Sequence, residues 1–270
     1  MRRIKADGVE LAVLDEGEGT PVLLLHGFPD SARLWRHQVA ALNEAGFRVI
    51  APDQRGFGDS DKPQEVDAYT FGHLLADVTA VLDQTGVERA HVVGHDWGAA
   101  VAWAAALMMP ERLDRLVALS VGHPAAFAER PLEQRQRSWY MLLFQFEEAE
   151  EILRRDDWAL FREFAASHPD LEDAIAALAR PGALTAAINW YRANVHPRRE
   201  LEPHRAVPPV QADTLGIWST GDSYLLERGM QTSGQHIAGT WRYERVEDAG
   251  HWLQLDQPDR VNALLIDFLR

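Results

Sequence analysis

The chain has no cysteine, which excludes disulfides, thiolate metal sites and a cysteine nucleophile together. Lysine stands only at Lys5 and Lys62 while arginine is plentiful, a bias of genome composition. The basic total of 27 falls well short of 41 acidic residues, for a formal charge of −14. Nucleic acid or an anionic membrane surface would need a basic face, so neither is expected as partner. No apolar run approaches membrane-spanning length, and Met1 to Asp7 leads into no apolar signal core. A cytoplasmic protein is expected. Internal repeats and low-complexity segments are also missing.

A chain of 270 residues can build one large core. Apolar runs at Leu11–Leu14, Pro21–Leu25, Phe47–Ala51, His91–Val93 and Leu116–Val121 read as strands. Between them lie helical patterns: one capped by Ser31 and carrying Leu34, Trp35, Val39 and Leu42, one carrying Phe71, Leu74, Leu75, Val78, Val81 and Leu82, and the alanine-rich Ala99–Met109. This alternation predicts an α/β fold with a mostly parallel central sheet, helices on both faces. From Pro124 to Pro209 the pattern breaks into helices: Arg135–Leu153, Trp158–Ser167, Leu171–Ala179 and Ala183–Val195, with Pro197, Pro203, Pro208 and Pro209 at the exit. The predicted organisation is a core of residues 1–123 and 210–270 with a helical lid, 124–209, inserted between its halves. Thr214–Ser219 and Trp241–Val246 resume the sheet, and Pro258 opens a last helix.

The segment Val92-Val93-Gly94-His95-Asp96-Trp97-Gly98 is a strand running into a tight Gly-x-Asp-x-Gly turn before a helix. That is the context of a nucleophile elbow, with aspartate where serine is common. The change alters the chemistry. A serine that attacks a saturated carbon leaves an ether, which is a dead end. A carboxylate leaves an ester, whose carbonyl water can cleave. Asp96 therefore points to a hydrolase acting on an electrophilic sp3 carbon.

Reactive groups in a parallel sheet gather at the carboxyl ends of strands. Asp222 follows the run Thr214–Ser219, and His251 follows Trp241–Val246, so the chain order is nucleophile, acid, histidine. In this reading His251 activates water against an Asp96 ester, and Asp222 orients its imidazole. Asp213 stands at the wrong end of its strand to compete, and Asp248 is too close along the chain. Ester hydrolysis also needs an oxyanion hole. The backbone N–H groups of Phe28, in His26-Gly27-Phe28-Pro29, and of Trp97 are the expected donors.

These segments, with Asp53-Gln54-Arg55-Gly56-Phe57-Gly58-Asp59-Ser60 and Gly250-His251-Trp252, resemble an α/β-hydrolase of the epoxide hydrolase group over nearly the whole length. The resemblance implies a cis bond between Phe28 and Pro29. It also implies two lid tyrosines that hydrogen-bond the epoxide oxygen and protonate it. Trp139-Tyr140-Met141 and Asn189-Trp190-Tyr191-Arg192 place these at Tyr140 and Tyr191. A phenol is neutral at pH 7 and able to donate. Phe28, Trp97 and Trp190 are expected in an apolar substrate pocket. Two departures stand out. Ser219 follows Trp218 where relatives often have glycine, which implies a different acid loop. Phe144-Gln145-Phe146 lacks a following Pro-Gly, which implies a lid helix that runs on differently.

The implied activity is opening of a small apolar or aromatic epoxide to a vicinal diol through an Asp96 ester, with no cofactor and no metal. A homodimer is the expected assembly. Two alternatives stay open. A haloalkane or haloacid dehalogenase uses the same Asp-His-Asp set, although Gly98-Ala99-Ala100-Val101 offers no arginine for a haloacid carboxylate. A non-catalytic ligand receptor could share the fold.

Overall fold

A computed structural model describes residues 1–128, 130–198 and 207–270. Pro203, expected at the lid exit, lies outside the described residues. Eight strands form one sheet: β1 (Arg2–Ala6), β2 (Val9–Glu16), β3 (Thr20–Leu25), β4 (Phe47–Pro52), β5 (Ala90–His95), β6 (Leu113–Leu119), β7 (Asp213–Ser219) and β8 (Trp241–Val246). Their spatial order is β1-β2-β4-β3-β5-β6-β7-β8. β1 and β2 are antiparallel to their neighbours, and the other pairs are parallel. β1 escaped the sequence reading because only Ile4 and Ala6 face inward, while Arg2, Arg3 and Lys5 face out, as suits an edge strand.

The topology creates the site. The chain leaves β3 for β4 on one side, and leaves β5 for β6 on the other. Loops that depart in opposite directions open a crevice at the carboxyl ends of the two strands. Leu25 pairs with Gly94, and His95 with Leu119, so residue 96 emerges in that crevice.

Helices cover the sheet: α1 (Arg36–Glu44), α2 (Phe71–Gln84), α3 (Trp97–Met108), then α4 (Pro124–Ala128), α5 (Leu132–Arg137), α6 (Trp139–Leu143), α7 (Ala149–Phe164), α8 (Leu171–Leu178) and α9 (Ala183–Asn194) between β6 and β7. α10 (Glu227–Thr232), α11 (Leu253–Asp256) and α12 (Pro258–Leu269) complete the chain. The helix expected from Ser31 begins as a 3-10 turn, Ala32–Trp35, in which the Leu34 amide donates to the Ser31 carbonyl at 3.0 Å. The single helix expected over Arg135–Leu153 is instead three pieces. The physical reason lies on α9. Arg192 donates to the carbonyls of Phe144 (3.0 Å) and Phe146 (2.9 Å) and pairs with Glu150 at 2.8 Å, which holds those carbonyls in a turn. A further break at Arg155–Trp158, with left-handed backbone at Asp156, Asp157 and Trp158, divides α7 near the expected boundary.

α9 is fastened to the loop after β4. Asn189 donates to the Gln64 carbonyl (3.0 Å), the Trp190 indole to that of Arg55 (3.1 Å), and Asn194 to that of Tyr69 (2.8 Å). Arg55 itself is buried and meets Asp77 of α2 through two hydrogen bonds of 2.6 Å. Burial pushes the Asp77 carboxyl above its ordinary range, and the Arg55 guanidinium pulls it back. Removing one partner strands the other charge in the core. Arg55→Ala is expected to lower unfolding free energy by about 3–5 kcal/mol, read from the urea midpoint, whereas Arg162→Ala, removing an exposed pair with Glu172, should leave that midpoint nearly in place.

Candidate active site

Asp96 sits between β5 and α3 with φ 52° and ψ −122°, a backbone geometry that few non-glycine residues adopt. The turn is this tight because α3 presses on β3. A Cβ at Gly98 would collide with the Leu25 carbonyl, and one at Gly27 with the Asp96 carboxylate itself. Both positions therefore require glycine, as does Gly94, whose Cβ would meet the Gly98 carbonyl, and the Gly94-x-Asp96-x-Gly98 spacing is the signal that made the elbow readable. The turn after β3 is pinned by His26, whose Nδ1 lies 2.9 Å from the Gly27 carbonyl while its Nε2 accepts from the Gln54 amide at 3.0 Å. Burial holds His26 below its ordinary pKa, in keeping with a neutral ring used as a structural link. The Phe28–Pro29 bond is cis.

This arrangement aims the Phe28 amide at Asp96 Oδ1, 2.8 Å away. The Trp97 amide, next in the chain, also favours the ionised Asp96 carboxyl and lowers its pKa. His251 Nε2 stands 3.6 Å from Asp96 Oδ2, and its Nδ1 is 2.9 Å from Asp222 Oδ2. Asp222 Oδ1 accepts from the amides of Tyr224 (2.8 Å) and Leu225 (2.9 Å). The Asp222 carboxylate is thus fully buried and satisfied at both oxygens. Burial alone would raise the Asp96 pKa, but hydrogen bonding and charge from His251 outweigh it and hold the carboxyl below its ordinary value. Burial likewise opposes the His251 cation, but the Asp222 carboxylate and then Asp96 prevail, and the imidazole is pushed up from 6.5 to about 10.

Three contacts that the sequence did not reveal place the histidine loop. The His95 Nε2 meets the His251 carbonyl at 2.9 Å, Ser120 Oγ donates to the same oxygen at 3.3 Å, and Ser219 Oγ donates to the Gly250 carbonyl at 2.6 Å. The serine that replaces the frequent glycine after Trp218 therefore ties the acid strand to the histidine loop. His95 is buried and held down to about 4, so it serves as a neutral link.

Above Asp96 lies a cavity of about 540 Å³. Tyr140 of α6 and Tyr191 of α9 line it, their ring centroids 5.8 Å apart. Burial, followed by the Asp96 charge, raises both phenols well above their ordinary pKa and keeps them protonated. The chain has five tyrosines, and the other three are committed elsewhere. Tyr69 donates to the Pro63 carbonyl (2.7 Å), Tyr224 to that of Phe164 (2.5 Å) and Tyr243 to Glu227 (2.7 Å). Of Phe28, Trp97 and Trp190, Trp97 alone is among the residues lining this cavity. Trp190 is instead packed between Phe57 and Trp97, each ring centroid 5.7 Å away, with its N–H bound to Arg55. Phe28 turns its ring to Phe144 and Tyr191 and offers only its amide to the site. The wall that the sequence reading missed is on α3, where Ala100, Ala104, Leu107 and Met108 follow Asp96 at helical spacing.

The raised pKa of His251 links protonation to stability. A group with a higher pKa in the folded state stabilises fully below its unfolded value, here 6.5, and loses that contribution as pH rises through about 10. Between those pH values the thermal midpoint of the wild type should fall more than that of His251→Gln. Calorimetry across the range checks this, and parallel declines would contradict the ion pairing.

A sequence profile described as the alpha/beta hydrolase fold matches residues 20–258. The chain is 36% identical to Epoxide hydrolase A of Mycobacterium tuberculosis, covering 99% of this chain and 96% of the relative. Among solved structures it is similar to Epoxide Hydrolase A from Mycobacterium thermoresistibile (TM-score 0.82, 34% identity, 100% of this chain and 97% of that one). It is likewise similar to an epoxide hydrolase of Bacillus megaterium in complex with an inhibitor (TM-score 0.90, 25% identity, 99% of both chains). With its aspartate elbow, histidine and acid in a sheet of this topology, the chain belongs to the alpha/beta hydrolase fold family, among the epoxide hydrolases.

Proposed function

We propose that this enzyme opens an apolar or aromatic epoxide to a vicinal diol, with Asp96, His251, Asp222, Tyr140 and Tyr191 as its catalytic groups. The observation that carries the assignment is the meeting of two buried, protonated phenols with an ionised carboxylate in one apolar cavity. Asp96 Oδ1 accepts from the Phe28 amide, so Oδ2 is the oxygen free to attack. Its lone pair forms a bond to a ring carbon while the carbon–oxygen bond breaks, and the departing oxygen takes a proton from Tyr140 or Tyr191. A ring-opened alkoxide is a poor leaving group, and a neutral donor in place removes that barrier.

The ester changes the site's electrostatics. Asp96 loses its charge, and with it goes one of the two influences that hold His251 protonated. The imidazole can then restore the phenol's proton and turn base. Water attacks the ester carbon and gives a proton to His251 Nε2. The oxyanion forms on Oδ1, already beside the Phe28 and Trp97 amides. Collapse expels the diol oxygen, which collects the proton, and the regenerated Asp96 carboxyl recharges His251. Asp222 orients the imidazole throughout.

Residues 124–209 are proposed to act as the cap that excludes bulk water from these steps. A dehalogenase reading is weaker, because halide departs as an anion and has no use for two phenols. Asp96 is the single charged side chain among the described lining residues, so a haloacid carboxylate finds no cation there. A receptor would not need the acid and histidine behind the carboxylate. Among the described residues no helix is long and apolar enough to cross a membrane. A cytoplasmic site of action agrees with the acidic, cysteine-free chain. Exposed Leu132, Trp139, Leu142 and Phe146 supply apolar surface that a homodimer would cover.

His251→Gln is expected to accumulate the Asp96 ester. Intact mass after exposure to styrene oxide should rise by the mass of one substrate, while His251→Gln carrying Asp96→Asn as well stays unmodified. No adduct in the single variant, with the wild type active, would overturn the covalent route. Tyr140→Phe and Tyr191→Phe should each lower kcat roughly a hundredfold, and single-turnover kinetics should place the loss in ester formation.

A further inference from the structure

The cavity above Asp96 is asymmetric. On one side it follows α3 past Ala100 and Ala104 to Leu107 and Met108. Positions 100, 104 and 108 lie on one stripe of the helix, so this arm extends roughly 18 Å from residue 96 at 1.5 Å per residue. Alanine at 100 and 104 leaves the space open, and Met108 at the far end is largely exposed. The other residues lining the cavity include Val121, Val195 and Leu225, and Asp96 is the one charged side chain among those described.

The opposite side is filled. Phe164 of α7 lies against Tyr140 (ring centroids 4.9 Å), Phe144 (6.2 Å), Phe161 (6.0 Å) and Tyr224 (5.2 Å). Tyr224 continues the wall to His251 at 5.0 Å. Behind it is a separate recess of about 470 Å³, lined by Trp139, Leu160, Phe164 and Tyr224, which does not include Asp96. Phe164 is half-buried: it packs behind Tyr140, which lines the chamber, and also lines this recess.

We propose that the chamber is one-armed: it takes epoxides with a single extended apolar substituent, which lies along α3 beside Ala100 and Ala104, while Phe164 shuts out a second large substituent across the ring. The inference rests on the proposed epoxide hydrolysis and names its substrate class as monosubstituted, long-chain or aryl epoxides. Ala104 and Phe164 are specificity-determining residues in this account, one for arm length and one for the number of arms.

The test compares kcat/KM for propylene oxide, dodecene oxide, styrene oxide and trans-stilbene oxide. Wild type should favour dodecene oxide over propylene oxide and turn over trans-stilbene oxide far more slowly than styrene oxide. In Ala104→Phe the ratio of dodecene oxide to propylene oxide should drop about tenfold or more, since a pocket discriminates by roughly that factor per methylene-sized change. In Phe164→Ala the ratio of trans-stilbene oxide to styrene oxide should rise by a similar factor. Ratios within one preparation cancel any loss of folded enzyme, and the wild-type profile needs no variant. Turnover of all four substrates at comparable efficiency by the wild type would overturn the one-armed chamber, as would unchanged ratios in both variants. A wild type that hydrolyses none of them would instead remove the proposed function, and this inference with it.

Discussion

A carboxylate kept ionised in an apolar chamber is the constraint to which the rest of the site answers. Stripping water from such a charge costs several kcal/mol, even after relaxation. Here the cost is offset by the Phe28 and Trp97 amides and by the His251 cation. Each of these partners has a second use. The Phe28 amide that holds Oδ1 is placed, in the proposed mechanism, for the oxyanion of ester hydrolysis. In the same mechanism the imidazole that balances the carboxylate becomes the base once the carboxylate is spent. Ground-state stabilisation and catalysis draw on the same groups, and bond formation at Asp96 is itself the signal that reassigns them.

The same constraint accounts for the strained backbone at Asp96. A carboxylate on an ordinary turn would lie along the sheet surface. The positive φ, permitted by glycine packing on both sides, lifts it into the crevice between β3 and β5. The loop after β7 brings Asp222, and that after β8 brings His251, because Ser219 and Val246 lie in register.

Much of this was readable in the chain because it is local. The elbow, the turn after β3 and the order of Asp96, Asp222 and His251 depend on short segments at strand ends. The lid tyrosines were found through resemblance of Trp139-Tyr140 and Asn189-Trp190-Tyr191, not through periodicity. What stayed hidden was decided at a distance. Arg192, from α9, ends the helix near Phe144, and no feature of residues 135–153 announces that break. Trp190 looked like a pocket residue beside Tyr191, yet successive helix positions point to different sides, and its N–H is claimed by Arg55. The apolar wall on α3 is visible as a stripe, but an alanine stripe reads equally well as close packing against the sheet. Only the position of the inserted helices shows which alanines face empty space.

The hydrogen bonds from Asn189, Trp190 and Asn194 to the loop after β4 have a consequence for how such enzymes diversify. α9 is mechanically part of the hydrolase body, although the chain inserts it with the helices above. Tyr191 therefore takes its registration from the loop after β4, while Tyr140 follows α5, whose Gln134 and Arg137 donate to the Tyr224 (2.7 Å) and Asp222 (2.8 Å) carbonyls after β7. Exchange of α7 and α8 between relatives would remodel the chamber roof while both phenols kept their registration over the nucleophile. A graft junction placed before α9 would respect that division, and one placed after it would cut through it.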